Sequence, residues 1–128
     1  SDLFAAGASL YGVTDLRALA AETHKFEARY LDGLIGPYPE KQAVYLERSP
    51  LTHAEKISVP VLFLHGGADK VVPLAQAEAM RTKLAQSDLH VYPDEGHGFR
   101  AREVVEDALE RELRFYRTVF ATSADPAL

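Results

Sequence analysis

Val61 to Leu64 is an uninterrupted apolar run that meets two glycines, Gly66 and Gly67, a short way on. A run of that kind fits a strand buried on both faces. Two further segments read as strands: Phe4 to Leu10 near the start, and Leu89 to Tyr92 before a proline. Between them the rhythm changes. Leu16, Leu19, Ala20, Thr23 and Tyr30 recur at spacings of three, four and seven, with Thr14 as the expected N-cap, which predicts a helix. A loop with Pro37 and Pro39 leads to a short helix starting near Glu40 and stopping at Ser49 and Pro50, and Thr52 to Lys56 reads as one more helical turn. Pro73 suits a first helical turn, after which Ala77, Met80 and Leu84 repeat at helical spacing. The last helix shows Val105, Leu109, Leu113, Tyr116 and Phe120 on one face. Residues 1–120 therefore read as the structured part, and 121–128 as a disordered tail.

Strand, helix, strand, helix in this order predicts an α/β fold: about three parallel strands with flanking helices. Composition supports one globular unit. With 128 residues, 47% of them hydrophobic and 26% charged, the chain is long enough for one real core and too short for two. A net charge of −5 argues against a nucleic-acid partner. No run of about 18 apolar residues offers a membrane span, and the first residues lack a signal-peptide pattern. The absence of cysteine removes disulfides, thiolate metal sites and a cysteine nucleophile at once, and it agrees with a cytoplasmic location, which is the expectation.

The parallel arrangement decides where the polar residues go. All the C-terminal ends of such strands lie on one edge, so the loop HGGADKVVP (His65 to Pro73) and the loop PDEGHGF (Pro93 to Phe99) emerge side by side. Strands about 4.8 Å apart bring Asp69 and His97 within hydrogen-bond reach across 28 residues of sequence. Taken singly, Asp69 reads as a turn residue and His97 as a surface histidine at a glycine-flanked loop tip. Taken together they are a carboxylate and an imidazole placed to form half of a catalytic triad. Asp94 and Glu95 read as solvated loop acids, and His24, His53 and His90 show no spacing that suggests a site. His65, Asp69 and His97 as a metal site is a further reading with no diagnostic spacing, so neither metal nor cofactor is expected.

HGGADKVVP followed by DEGHGF resembles the acid and base loops of α/β-hydrolases. The stretch from Leu3 to about Phe120, including FAAGASLYGVTD at Phe4 to Asp15 and SPL at Ser49 to Leu51, is similar to the C-terminal part of prolyl oligopeptidase family catalytic domains, acylaminoacyl and dipeptidyl peptidases above all. The resemblance implies a partial α/β-hydrolase fold and a triad in chain order Ser, Asp, His, of which Asp69 and His97 match the last two. It implies short or acylated peptides as substrates, and an apolar pocket lined by Val13, Leu16, Leu19 and Val72. Leu16 and Leu19 also sit at helical core spacing, which is their simpler reading.

The nucleophile is missing from this pattern. The elbow motif GxSxG needs glycine on both sides of the serine, and no serine here has both; Ser9 comes nearest, with Gly7 before it but Tyr11 in the second glycine position. HGG at His65 to Gly67 does not serve as a lipase-type oxyanion loop, because no GxSxG follows it. The resemblance places the elbow, and the oxyanion donors, before Ser1. The expectation is a fragment of a serine peptidase, inactive alone, whose partner is the missing N-terminal part of the catalytic domain. A serine esterase fragment and a non-catalytic binding or assembly domain stay open beside it. Alone, the exposed strand over residues 4–10 is expected to pair edge to edge in a homodimer or to aggregate.

Overall fold

The computed structural model describes residues 3–22 and 29–123. Three parallel strands, β1 (Gly7–Leu10), β2 (Val61–Gly66) and β3 (Ser87–Tyr92), form a sheet in the order β1-β2-β3. Strand β2 is central, which is why its apolar residues run without interruption: both faces are covered. Phe63 packs with Ala54, Ala77, Met80 and Leu84 on one face. Leu62 and Leu64 meet Tyr92 and Ala108 on the other. The first cluster lies under α4 (Ala75–Lys83) and the 3₁₀ segment Pro50–Lys56, so the helical spacing of Ala77 and Met80 does build core; Leu84, also buried, follows the helix as its C-cap.

Both outer strands differ in length from the sequence expectation. β1 starts only at Gly7, and Leu3 and Phe4 lie before it with exposed side chains. β3 starts two residues early, because Ser87 and Asp88 continue the register with Val61 and Leu62 although neither is apolar. Backbone pairing, not side-chain polarity, sets that boundary.

Two helices correct the reading of the first half. α1 covers Leu16–Glu22, and Tyr30 opens a separate helix, α2 (Tyr30–Leu34). Thr23 and His24 lie outside the described residues. The N-cap of α1 is Asp15, whose Oδ1 accepts the amides of Arg17 (2.9 Å) and Ala18 (3.4 Å). Thr14 is instead buried, and its hydroxyl donates to the carbonyl of Gln76 (2.6 Å). The Gln76 side chain completes a clamp: Oε1 accepts the amides of Thr14 (2.9 Å) and Asp15 (2.7 Å), and Nε2 donates to the Asp15 carbonyl (2.9 Å). Gln76→Leu keeps the volume and strands those backbone groups, so a loss of about 2 to 3 kcal/mol is expected from urea unfolding. A loss below about 0.5 kcal/mol would show that the clamp is not holding the β1–α1 turn.

Helix α3 (Gln42–Arg48) stops at Ser49 and Pro50, as the proline signal predicts. The final helix, α5 (Arg102–Ser123), runs through residues 121–123, which the sequence reading assigned to the tail; residues 124–128 lie outside the described part. The apolar face read from its sequence is not the one that packs on the sheet. Ala108, with Val104 and Phe115, packs on the sheet, whereas Val105, Leu109, Leu113 and Phe120 are exposed. The helix carries two neighbouring apolar stripes, and only one meets this sheet. Leu10, at the end of β1, lines one pocket with Val105 and Leu109 of the second stripe, and the outer edge of β1 has no strand partner among the described residues.

On the opposite edge, Tyr92 donates its hydroxyl to Asp107 Oδ2 (2.8 Å), to which Arg111 Nε also donates (2.6 Å). Burial, then the bond to Asp107, push the Tyr92 phenol up to about 12. The folded state thus favours the neutral phenol. Its contribution to stability is complete below the ordinary tyrosine value near 10 and fades as pH rises through about 12. A spectrophotometric titration should show one phenolate forming near pH 12, and Asp107→Asn should lower that midpoint.

Candidate active site

The register pairs His65 with Val91 and Gly66 with Tyr92, so the segments after β2 and β3 leave the sheet together. They then touch backbone to backbone. Gly67 N donates to Tyr92 O (2.8 Å), and Ala68 N donates to Glu95 O (3.0 Å). A Cβ at Gly66 would lie 2.3 Å from the carbonyl oxygen of Glu95 and 2.4 Å from that of Gly96, and one at Gly67 would lie 2.9 Å from Pro93. The glycine pair is there to let two loops close on each other.

That closure brings Asp69 and His97 together. His97 Nδ1 donates to Asp69 Oδ2 at 2.9 Å. The Asp69 side chain is fully buried, and its other oxygen accepts the amides of Val71 (2.9 Å) and Val72 (2.8 Å), which pins the carboxylate in one orientation. His97 is 38% exposed at the side chain. One ring nitrogen is therefore committed to a fixed carboxylate, and Nε2 is left for a second partner. No serine hydroxyl among the described residues bonds to it. Gly98 takes a φ of 88°, the left-handed turn the loop needs, while Gly96 does not. Tyr11, itself at a φ of 44° where β1 ends, stacks edge-on against His97 with centroids 5.2 Å apart.

Glu95 is a correction: it is buried, not solvated. Its carboxylate accepts the amides of Arg100 (2.8 Å) and Ala101 (3.0 Å) just before α5, closing the loop that carries His97. The residue resembles any loop acid in sequence, and only the return of the chain five residues later reveals its work. Asp94 is exposed as expected.

His65 is fully buried, and its Nε2–H donates to the Val72 carbonyl (2.8 Å), 3.6 Å from Asp69. That nitrogen is occupied, and among the described residues no group of three His, Asp or Glu side chains is arranged to hold a metal ion. Ser9 lies inside β1 in register with Phe63. His53 bonds the Glu47 carbonyl (2.8 Å), and His90 sits 3.9 Å from Asp107, both away from this edge.

Beside His97 a cavity of about 310 Å³ is lined by Tyr11, Val13, Leu19, Tyr30, Leu31, Val71 and Val72. Val13, Leu19 and Val72 are thus gathered next to the imidazole, but Leu16 is not among the lining residues; its amide donates to Ser49 Oγ (3.0 Å). Tyr11, Leu31 and Val71 were not legible as lining residues, since Tyr11 and Val71 reach the cavity from turns after β1 and β2 and Leu31 from the short helix α2, none of them through a repeated spacing.

Residues 1–123 match the model of the prolyl oligopeptidase family. The chain belongs to that family. It is 43% identical to a puromycin-hydrolyzing peptidase of Mycobacterium tuberculosis, with a TM-score of 0.88 over 93% of this chain and 19% of the peptidase. A dipeptidyl aminopeptidase BIII of Pseudoxanthomonas mexicana is 32% identical over 111 residues, which are 80% of this chain and 16% of the enzyme. The acylaminoacyl peptidase of Pyrococcus horikoshii, at 24% identity and a TM-score of 0.81 over 91% of this chain and 20% of its own, shares the fold. A carboxymethylenebutenolidase from Escherichia coli O157:H7 is 33% identical over 81 residues, 55% of this chain and 30% of that protein. The three strands and their helices are part of an α/β-hydrolase fold. The chain spans less than a fifth of the length of the dipeptidyl aminopeptidase and of the M. tuberculosis peptidase.

Proposed function

We propose that Asp69 and His97 are the acid and the base of a serine peptidase acting on short peptides, with the serine supplied by sequence outside this chain. The observation that carries the reading is the 2.9 Å bond from His97 Nδ1 to a buried carboxylate, with the other nitrogen left open beside an apolar cavity. In this mechanism Asp69 holds the Nδ1–H tautomer. Nε2 removes the serine proton as Oγ attacks the scissile carbonyl, then returns it to the amine as the C–N bond breaks. Water, deprotonated by the same nitrogen, releases the acyl group and restores the serine. Val13, Leu19 and Val72, joined by Tyr11 and Leu31, would receive an apolar side chain on the acyl side.

The open edge of β1 and the bare stripe Val105, Leu109 and Leu113 support a partner that continues the sheet and covers α5. The rest of the catalytic domain is that partner in this reading, and it would carry the elbow and the oxyanion donors. Without it the chain does not perform acyl transfer.

Reading the source DNA for about 150 codons upstream of Ser1 tests this, since that length is enough for a missing half-domain. An in-frame GxSxG, with hydrolysis of short peptides by the encoded protein, is the expected result. A parent frame without the motif would overturn catalysis and favour a binding or assembly role. The similarity to carboxymethylenebutenolidases supports a second reading, an esterase built on the same pair; ester cleavage without peptide cleavage would select it.

A further inference from the structure

The geometry points to a carboxylate-binding subsite on the leaving-group side of the scissile bond, formed by Lys70 and Arg100. It rests on the proposed peptidase reading. A second cavity, of about 560 Å³, is lined by Lys70, Asp94, Gly98 and Arg100, with His97 and Val71 among its remaining residues. His97 and Val71 also line the apolar cavity, so these two side chains form the wall between the two spaces.

The chemistry assigns the sides. A base that returns its proton to the leaving amine must contact that nitrogen, so the substrate crosses the imidazole at the scissile bond. If the acyl-side chain enters the apolar cavity, the amine product extends into the polar one. What it meets there includes two unpaired cations. Lys70 and Arg100 are exposed, and neither head group has an ion-pair or hydrogen-bond partner among the described residues. Of the two acids on the same wall, Glu95 is buried with its carboxylate accepting backbone amides, which leaves Asp94 as the exposed anion. The exposed charged side chains of that wall are thus two cations and one anion, and the second anion, Glu95, is held by backbone amides. An ammonium and a guanidinium at the edge of a groove suit a carboxylate, either the C-terminus of a peptide cut one or two residues from its end, or an acidic side chain following the cut bond.

The test uses the full-length protein and four substrates with the same apolar acyl-side residue. One is a tripeptide free acid, one its C-terminal amide, one an amide with aspartate after the cut bond, and one a p-nitroanilide. The expected result is that kcat/KM for the free acid exceeds that of the amide about fivefold at low salt, the size of a partly exposed charge pair, and that the advantage shrinks as salt is raised. In the double variant Lys70→Ser, Arg100→Ser the acid-to-amide ratio should fall to about one. A comparable advantage for the aspartyl amide would assign the subsite to an acidic side chain; its absence would assign it to the chain terminus. Equal rates for acid, amide and aspartyl amide, or a ratio that survives the double variant, would overturn the subsite while His97-dependent cleavage of the anilide upholds the peptidase reading. Anilide cleavage that is absent, or that persists in His97→Ala, would overturn that reading and the subsite with it.

Discussion

In the full-length protein, His97→Ala is expected to lower kcat about ten-thousand-fold with little change in KM, and Asp69→Asn to do nearly as much. The first variant removes the group that carries the proton in the proposed mechanism. The second is more diagnostic, because it keeps the shape. Asp69 Oδ1 accepts the amides of Val71 and Val72, so an asparagine there would keep its carbonyl oxygen on those amides and turn its NH₂ toward His97. Two donors cannot face each other. The imidazole would switch tautomer, Nδ1 accepting and Nε2 protonated, and Nε2 could then no longer take a proton from serine. Steady-state kinetics on a short peptide, with folding checked by circular dichroism, measures both. Ser9→Ala serves as the contrast, since Ser9 is a strand residue and its loss should leave turnover within about twofold. Full activity in Asp69→Asn would sink the assignment of this pair.

The largest structural effect is expected from Gly66→Ala, at about 3 kcal/mol or more. The added methyl would meet backbone oxygens of Glu95 and Gly96 at 2.3 and 2.4 Å, and backbone has no rotamer through which to escape. Something larger must move. The clash pushes on the segment that carries His97, while Asp69 sits three residues along on the other loop, so stability and turnover should fall together. A displacement near 1 Å is enough for about a hundredfold in rate. Gly96→Ala is the matched control: a Cβ there meets nothing within 4 Å, so its stability should change by less than about 1 kcal/mol. Urea midpoints for the two variants measure the difference. Equal midpoints would mean that the loops are not packed as described.

Much of the site was readable before any coordinates. The pairing of Asp69 with His97 needed only two apolar strands, parallel order and two loops of known residues, because strand spacing is the same in every sheet. Glu95 escaped because its partners are backbone amides, which leave no mark on sequence. The stripe Val105, Leu109, Leu113 and Phe120 is legible as one apolar face, but its exposure is not, for a related reason. Periodicity shows which side of a helix is apolar, but not whether anything in the same chain covers it.

By itself the sequence determined the element types, the parallel sheet, the absence of a GxSxG serine between Ser1 and Leu128, and the two loops that carry Asp69 and His97. Each of these depends on local spacing or on residue identity. Only the tertiary structure decided that Gly66 and Gly67 admit a neighbouring backbone, that Leu16 stays out of the apolar cavity, and that Thr14 bonds Gln76 instead of capping α1. These depend on distances between segments far apart in the chain, and such distances are set by how whole surfaces pack, which no window of sequence records.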